Sequence, residues 1–229
     1  GNVFLKMKTK KNSGSINFNR FDISYGQGKI IGQGSIGWAK NKATTIDINS
    51  EIKSVNWRLP EEFPLRATGE LEIKGSDEKL WIRGRADIEE ARYIKNMSLA
   101  QEFANIFRRP GSARISDLVA KDQINIDLLL NFPNSISVQN NMAEAVLGGR
   151  IRVLGIPSQI GALGNLTASK GTVYFNDSEY EINSFVLNFT DEKNIYPYFQ
   201  LSLSTEITDF GSDFEEEAIY PVNIGMKGY

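Results

Sequence analysis

The stretch Ile124-Asn-Ile-Asp-Leu-Leu-Leu130 places an apolar residue at every second position, counted from Ile124. This spacing is typical of a β-strand with one buried face, because successive strand side chains point to opposite faces of a sheet. The same period recurs along the chain with mostly Lys, Arg, Glu, Asn, Ser and Thr between the apolar positions, at 46–48, 71–73, 80–82, 151–153, 173–175, 185–189, 199–203 and 220–226. The pattern therefore predicts an all-β fold.

Turn-forming residues separate these apolar runs. They include Gly75-Ser76-Asp77, Pro133-Asn134 and Asn176-Asp177. Gly, Pro, Asn and Asp favour the backbone conformations of tight turns. We therefore expect hairpin connections at these three places.

One segment has a different period. Between Ser98 and Arg109, apolar residues recur at three- and four-residue spacing, and Pro110-Gly111 follows. Ser98 is a suitable N-cap, so the segment predicts one short amphipathic helix. Such a helix would plug one end of the sheet core or, alternatively, act as a lid or docking element.

An internal repeat appears when the chain is shifted by 80 residues. Gly69-Glu-Leu-Glu-Ile-Lys-Gly75 then falls on Gly149-Arg-Ile-Arg-Val-Leu-Gly155 without a gap. We interpret this match as two degenerate copies of one strand-rich unit, stacked side by side. Chance agreement between Gly-rich alternating strands is the alternative. The predicted organisation is a repeat unit over 1–96, a helical junction over 97–122 and a second β unit over 123–229, all within one continuous β structure.

Composition excludes several kinds of chemistry. The chain has no His and no Cys, which removes the Ser-His-Asp triad, thiolate nucleophiles and the commonest zinc ligands. Its net charge is −2 without a dense basic patch, so nucleic acid is a poor partner. We expect a non-catalytic domain without a metal or a cofactor. Because the chain begins and ends beside predicted strands, we also expect a fragment of a longer protein.

A dinucleotide-like motif, Gly32-Gln-Gly-Ser-Ile-Gly37, fails in context. That motif requires a helix whose N-terminus meets a pyrophosphate, and the following residues have no apolar helical stripe. Glycines that permit bends or bulges in strands are the better interpretation.

The order of features from Ile124 to Tyr229 resembles a known family. After the first strands come Gly149-Arg-Ile-Arg-Val-Leu-Gly155, Lys170-Gly-Thr-Val-Tyr-Phe175 and a strand that begins near Tyr196-Pro197. This order is similar to the C-terminal domain of the TamB family, the translocation and assembly module subunits of Gram-negative bacteria, within the AsmA-like superfamily. The first 120 residues resemble the repeats that precede this domain.

The resemblance implies an elongated sheet curled into an open U-shaped, β-taco-like trough with an apolar interior. It also implies a periplasmic segment of a protein anchored in the inner membrane. The expected partners are phospholipid or another acyl-chain lipid, and an outer-membrane protein of the TamA or BamA type.

The predicted groove-lining residues share one face within each strand. They are Ile124, Ile126, Leu128, Ile151, Val153, Val173, Phe175, Phe185, Leu187, Phe189, Leu201, Leu203, Val222 and Ile224. The residues alone leave two interpretations open, an open lipid groove and the filled core of a closed sandwich or barrel. A third hypothesis is a scaffold whose unpaired edge, such as 218–226, receives outer-membrane strands by β-augmentation.

Overall fold

A computed structural model describes residues 2–10, 12–40, 42–57, 64–95, 123–175, 178–210 and 217–228. These residues form a single long, curled sheet, which confirms the all-β prediction. The predicted helix over 98–109 and the whole junction over 97–122 lie outside the described residues.

The described part of the chain contains thirteen strands, and the alternating stretches of the sequence lie within them. The strands are β1 (Asn2–Lys10), β2 (Ser13–Tyr25), β3 (Gly28–Ala39), β4 (Lys42–Trp57), β5 (Leu65–Gly75), β6 (Leu80–Tyr93), β7 (Ile124–Gln139), β8 (Ala143–Ile156), β9 (Gln159–Ala168), β10 (Gly171–Phe175), β11 (Ser178–Asp191), β12 (Tyr198–Phe210) and β13 (Glu217–Gly228). The dinucleotide-like glycines lie inside β3, as the strand interpretation requires.

The strands follow one another through the sheet nearly in chain order. Neighbours are antiparallel except for β6 and β7, which are parallel. Strands β9 and β10 share one position, because each pairs with both β8 and β11 at a different height. They form one long strand interrupted at Ser169-Lys170, so that the thirteen strands occupy twelve positions.

The pairing register repeats with the same 80-residue offset as the sequence. Ile46 pairs with Gly75, and Ile126 pairs with Gly155. Two non-glycine residues with positive φ show the same offset. The φ angle is 46° at Ser54 and 50° at Asn134. Strands β4 to β6 and β7 to β9 therefore have matching local geometry.

Irregularities in neighbouring strands line up across the sheet from β4 to β11. We call this row the bulge line and define it by Ser54, Glu89, Asn134, Gly148, the break at Ser169-Lys170, and Asn183. A β-bulge bends its strand and increases the local twist. Because the bulges are adjacent, they favour a bend at this level of the curled sheet.

The bulge line corrects one turn prediction. Pro133-Asn134 lies within β7 and not between two strands. Proline has no N–H to donate to a ladder, and Asn134 has positive φ. Residues with these properties occur in β-bulges as well as in hairpin turns, so they do not distinguish the two. Gly75-Ser76-Asp77 does begin the β5–β6 hairpin, as predicted, and Asn176-Asp177 lies outside the described residues.

The most buried side chains flank the bulge line. The main buried cluster contains Ala67, Ile88, Ala91, Phe132, Ile136, Leu147, Ile151, Ala162, Leu166 and Ala168. No polar or charged residue is buried in the described part of the chain. The core of the described residues thus lies beside the bulge line.

Candidate functional site

Backbone pairing defines one apolar face of the sheet. Residues that are paired across neighbouring strands point to the same side. One such row runs Ile48, Ile73, Ile82 and Ile126, and further rows continue the same side through β13. We call this side the apolar face, and the opposite side, which carries Arg83, Asp127 and Arg152, the outer face.

All fourteen predicted groove residues lie on the apolar face. Leu128 pairs with Val153, Leu187 pairs with Leu166, and Leu203 pairs with both Ile182 and Ile224. Their exposure differs, since Leu203 is 3% exposed and Phe175 is 51% exposed. Position on one face is thereby established, whereas contact with a lipid is a separate question.

The apolar face is larger than the sequence prediction. It continues through β1 to β6 and includes residues that were not in the predicted set, among them Ile30, Ile52, Leu71, Ile82, Phe132, Ile136, Leu147 and Leu166. The same two-residue period marks most of them. A bulge interrupts the two-residue period because it adds one residue to the strand. Ile182 and Phe185 therefore share a face although they are three residues apart.

The bulge line divides the apolar face into two flanks. The long flank carries 69–75, 80–87, 124–131, 149–156, 159–167 and 185–191, and the short flank carries 91–93, 136–139, 143–147, 171–175 and 178–182. Leu147 and Ala91 from the short flank belong to the same cluster as Ile151 from the long flank, and Phe185 and Phe189 pack against that cluster. Side chains from both flanks therefore contribute to one apolar cluster.

Burial falls toward the two ends of the sheet. On the apolar face, Met7 is 61% exposed, Ile23 47% and Met226 42%. The buried cluster is drawn from β5 to β9. The middle of the face is consequently the more closely packed part, and apolar side chains are exposed toward its ends.

Polar groups are scarce on the apolar face. Ser50 lies on it, and its hydroxyl donates a hydrogen bond to the Leu71 carbonyl at 3.1 Å. Within the described strands, the pairing places two charged residues there, Asp191 at the end of β11 and Asp209 near the end of β12. Hydrogen bonds from the Asn194 amide and the Lys193 backbone N–H hold the pKa of Asp191 below its ordinary value. Polar groups on the apolar face of the described strands are thus few and dispersed.

The outer face carries several ion pairs. Arg152 donates two hydrogen bonds to Asp127, at 2.7 and 2.8 Å, and these bonds lower the pKa of the Asp127 carboxyl. Trp81 lies between two cations, with Arg83 4.3 Å and Lys79 5.2 Å from its ring centroid. Such an arrangement keeps this face solvated.

No helix among the described residues is long and apolar enough to cross a membrane. No group of three or more Asp or Glu residues in that part of the chain is placed to hold a metal ion.

Comparison with known proteins points to one family. The family model for the TamB C-terminal domain matches residues 19–227, which is most of the chain. A search of curated proteins finds no match.

Proposed function

The chain belongs to the TamB family, and from this membership we propose that its sheet is one segment of a lipid bridge between two membranes. The family acts in the Gram-negative cell envelope, in outer-membrane assembly or lipid transport, and is associated with TamA-type partners. In the proposal, phospholipid acyl chains lie on the apolar face, and a longer protein holds this periplasmic segment to the inner membrane. The segment itself is non-catalytic.

The observation that carries this proposal is the continuity of the apolar face. It crosses all thirteen described strands, and the backbone pairing places two charged residues on it, Asp191 in β11 and Asp209 in β12. At about 4.8 Å per strand, twelve positions extend roughly 55 Å along the sheet. This length matches a segment of a bridge better than a pocket for one small ligand.

The curled sheet and the bulge line support the proposed trough. Residues of the long and short flanks join one cluster, as they would if the sheet were folded about this line. Ion pairs on the outer face keep the opposite side in water. The resulting U-shaped cross-section would shield acyl chains on two sides.

The energetics favour passage along such a surface. Each methylene group gains about 0.8 kcal/mol when it leaves water, so a sixteen-carbon chain would lose roughly 12 kcal/mol in crossing an aqueous gap. An apolar path removes most of that barrier without binding any chain tightly. Mixed large and small residues, such as Leu71 beside Gly84 and then Leu128, leave room for mobile chains.

Charge substitutions on the two faces test the proposal. We expect phospholipid to co-purify with the wild-type chain and to be lost from Leu187→Asp and Leu201→Asp, because a carboxylate on the apolar face repels acyl chains. Matched controls are Val186→Asp and Gln200→Asp, which lie on the outer face of the same two strands and pair with each other. Native mass spectrometry with lipid extraction measures the bound lipid.

Equal lipid content in all folded variants would contradict the groove. Circular dichroism verifies that each variant folds. If either Leu variant fails to fold, the wild-type chain is instead tested with a photoreactive acyl probe. We then expect the probe to cross-link to Leu128 and not to Leu129, which lies on the outer face. Absence of cross-links to Leu128 would identify a packed core.

A second candidate function is favoured by the position of β13. This strand pairs with β12 on one side and has no partner on its other side in the described part of the chain. A free edge is able to accept a strand from an outer-membrane protein of the TamA or BamA type. Asn223→Pro and Ile224→Pro each remove one backbone N–H from β13. Because the N–H groups of successive strand residues point to opposite edges, one of the two variants removes a donor from the free edge and the other removes a donor that faces β12. Loss of partner pairing with lipid retained would support this scaffold function.

A further inference from the structure

The two edges of each strand carry the backbone groups of different residues. The N–H and C=O of one residue point to the same edge, and those of the next residue point to the opposite edge. Which edge a residue uses depends on the face that its side chain occupies and on the direction of the strand. Because all residues are L-amino acids, reversing the direction while keeping the face exchanges the two edges. One strand with known hydrogen bonds therefore fixes the edges of every other strand in the sheet.

Hydrogen bonds of β6 make this assignment. Leu80 lies on the apolar face, and its N–H donates to the Gln123 carbonyl, on the side of β7, at 2.8 Å. Arg92 lies on the outer face, and its N–H donates to the Pro64 carbonyl, on the side of β5, at 3.0 Å. In β6, apolar-facing residues thus direct their backbone groups toward β7, and outer-facing residues direct theirs toward β5.

The assignment is reversed in β13, because this strand runs opposite to β6. The β6–β7 ladder is parallel, and the ladders β7–β8, β8–β10, β10–β11, β11–β12 and β12–β13 are antiparallel. Apolar-facing residues of β13, such as Ile224, therefore direct their N–H and C=O groups to β12. Outer-facing residues direct theirs to the edge that has no partner in the described part of the chain. Within 221–228 these residues are Pro221, Asn223, Gly225 and Lys227.

Pro221 interrupts this free edge. It lies opposite Glu206 in β12, and its nitrogen carries no hydrogen. Because that nitrogen is directed to the free edge, Pro221 costs the β12–β13 ladder no hydrogen bond, which is the usual placement of proline in an edge strand. A strand added at this edge finds no donor at Pro221. The residue thus separates 222–228 from the shorter stretch 217–220.

The edge is open on the C-terminal side of Pro221. Gly225 is exposed, and nothing lies within 4 Å of a Cβ built on it. Asn223 and Lys227 are exposed as well. On the apolar face of the same stretch, Met226 is 42% exposed. Residues 222–228 thus combine accessible backbone donors and acceptors with an apolar side that an added strand would extend.

Protection against unwanted pairing accounts for Pro221 alone. Natural edge strands carry proline or lysine for this purpose. Strand β1, at the other edge of the sheet, has exposed Lys6 and Lys8 at successive outer-facing positions. Within 222–228 the one charged residue is Lys227, and Gly225 leaves the centre of the stretch without a side chain. Of the two edges, β13 is therefore the less protected.

We propose that residues 222–228 of β13 accept an extended strand by β-augmentation and that Pro221 ends the pairing and so fixes its register. The inference rests on the scaffold function and adds to it the pairing segment and the class of partner. The partner strand alternates apolar and polar residues, with an aromatic residue opposite Gly225 and a carboxylate opposite Lys227. Aromatic side chains cover edge glycines, and opposite charges stabilise cross-strand pairs.

Amide hydrogen exchange with a designed peptide tests the inference. The probe is the capped peptide Glu-Val-Tyr-Val-Thr-Val-Thr-Val-Thr-Val, which in antiparallel register places Glu opposite Lys227 and Tyr opposite Gly225. NMR spectroscopy of the full 229-residue chain measures exchange at single residues. We expect the peptide to slow exchange of the Gly225 N–H about tenfold or more, and to leave the Ile219 N–H, beyond Pro221, unchanged.

Two variants separate the role of Pro221 from general binding. Pro221→Thr restores a donor, so the slowing should extend to the Ile219 N–H. Asn223→Pro removes a free-edge donor beside Gly225 and should abolish the slowing. The matched control is the same peptide with a methyl group on its tyrosine nitrogen, which cannot donate to the Gly225 carbonyl and should slow nothing. In each variant without peptide, the Ile224 N–H, which faces β12, should exchange more slowly than the Gly225 N–H, which verifies that β13 remains paired.

The outcomes distinguish the inference from the function on which it rests. Equal slowing at Ile219 and Gly225 in the wild-type chain would overturn the role of Pro221 and leave strand addition at β13 in place. Slowing confined to the Met7 and Thr9 amides, at the free edge of β1, would overturn the site and leave a scaffold with a different edge. Slowing of Gly225 by a TamA-type outer-membrane protein in detergent micelles, and not by the peptide, would overturn the stated partner class. No slowing at either edge by the peptide or by that protein overturns the site and the scaffold function together.

Discussion

Glu89 is a carboxylate on the bulge line that accepts several hydrogen bonds. It accepts hydrogen bonds from Thr68, from Ser54 at 2.8 Å and from Arg66 at 2.9 Å. The Thr68 bond, followed by those from Ser54 and Arg66, lowers the pKa of Glu89 below its ordinary value of 4.5 despite some desolvation. The ionised carboxylate therefore ties together three strands where the ladder is irregular.

Replacement of Glu89 tests this role at the residue scale. We expect Glu89→Gln to reduce the free energy of unfolding by about 1 kcal/mol at pH 7, a value reduced for solvent screening because the site is partly exposed. A lowered folded-state pKa stabilises above the unfolded value and ceases to do so as the pH falls through the folded value. The difference between variant and wild type should therefore begin to shrink as the pH falls below about 4.5 and vanish once the pH is below the folded-state pKa.

Urea denaturation at pH 7 and at about pH 3 measures both quantities. Glu78→Gln, on the exposed β5–β6 turn, is the matched control and should change stability little at either pH. A destabilisation by Glu89→Gln that stays constant with pH would show that the charge of Glu89 is not responsible.

At the scale of elements, the close approach of β7 and β8 depends on a glycine. A Cβ on Gly148 would lie 2.7 Å from the Asn134 backbone nitrogen, so the backbone of the bulge would have to shift. Gly148 is buried, and Asn134 already has positive φ. The bulge in β7 and the glycine in β8 are thus one structural unit.

We expect Gly148→Ala to destabilise the chain by about 2 kcal/mol, since overpacking against the backbone cannot be relieved by a rotamer change. Gly225→Ala is the control, because nothing lies within 4 Å of its added Cβ. Thermal or urea unfolding of both variants checks the prediction. Similar stability of Gly148→Ala and Gly225→Ala would show that the β7 bulge accommodates a methyl group.

At the scale of the whole molecule, each strand contacts mainly its neighbours, as in repeat proteins. Stability in such an array is local, and fully buried side chains concentrate in the middle of the sheet. We expect amide hydrogens of β7 and β8 to exchange most slowly and those of β1 and β13 most rapidly. Hydrogen–deuterium exchange with mass spectrometry measures this gradient. Uniform protection from β1 to β13 would instead indicate one fully cooperative unit.

Much of the fold was predictable because strand periodicity is a local property. Alternation from Ile124 to Leu130 predicts a strand with one apolar face, and backbone pairing places all fourteen predicted groove residues on that face. The hairpin at Gly75 follows from turn chemistry for the same reason. The family resemblance is likewise confirmed by the match over residues 19–227.

Other features depend on contacts that a local pattern does not contain. The sequence by itself determined which residues alternate, but only the tertiary structure decided that Pro133-Asn134 is a bulge within β7 and that β6 lies parallel to β7. A bulge and a turn use the same residue types, and strand order depends on pairing between distant segments. The alignment of bulges in β4, β6, β7 and β11 with the break at Ser169-Lys170, beside the buried cluster around Phe132, is a property of the assembled sheet alone.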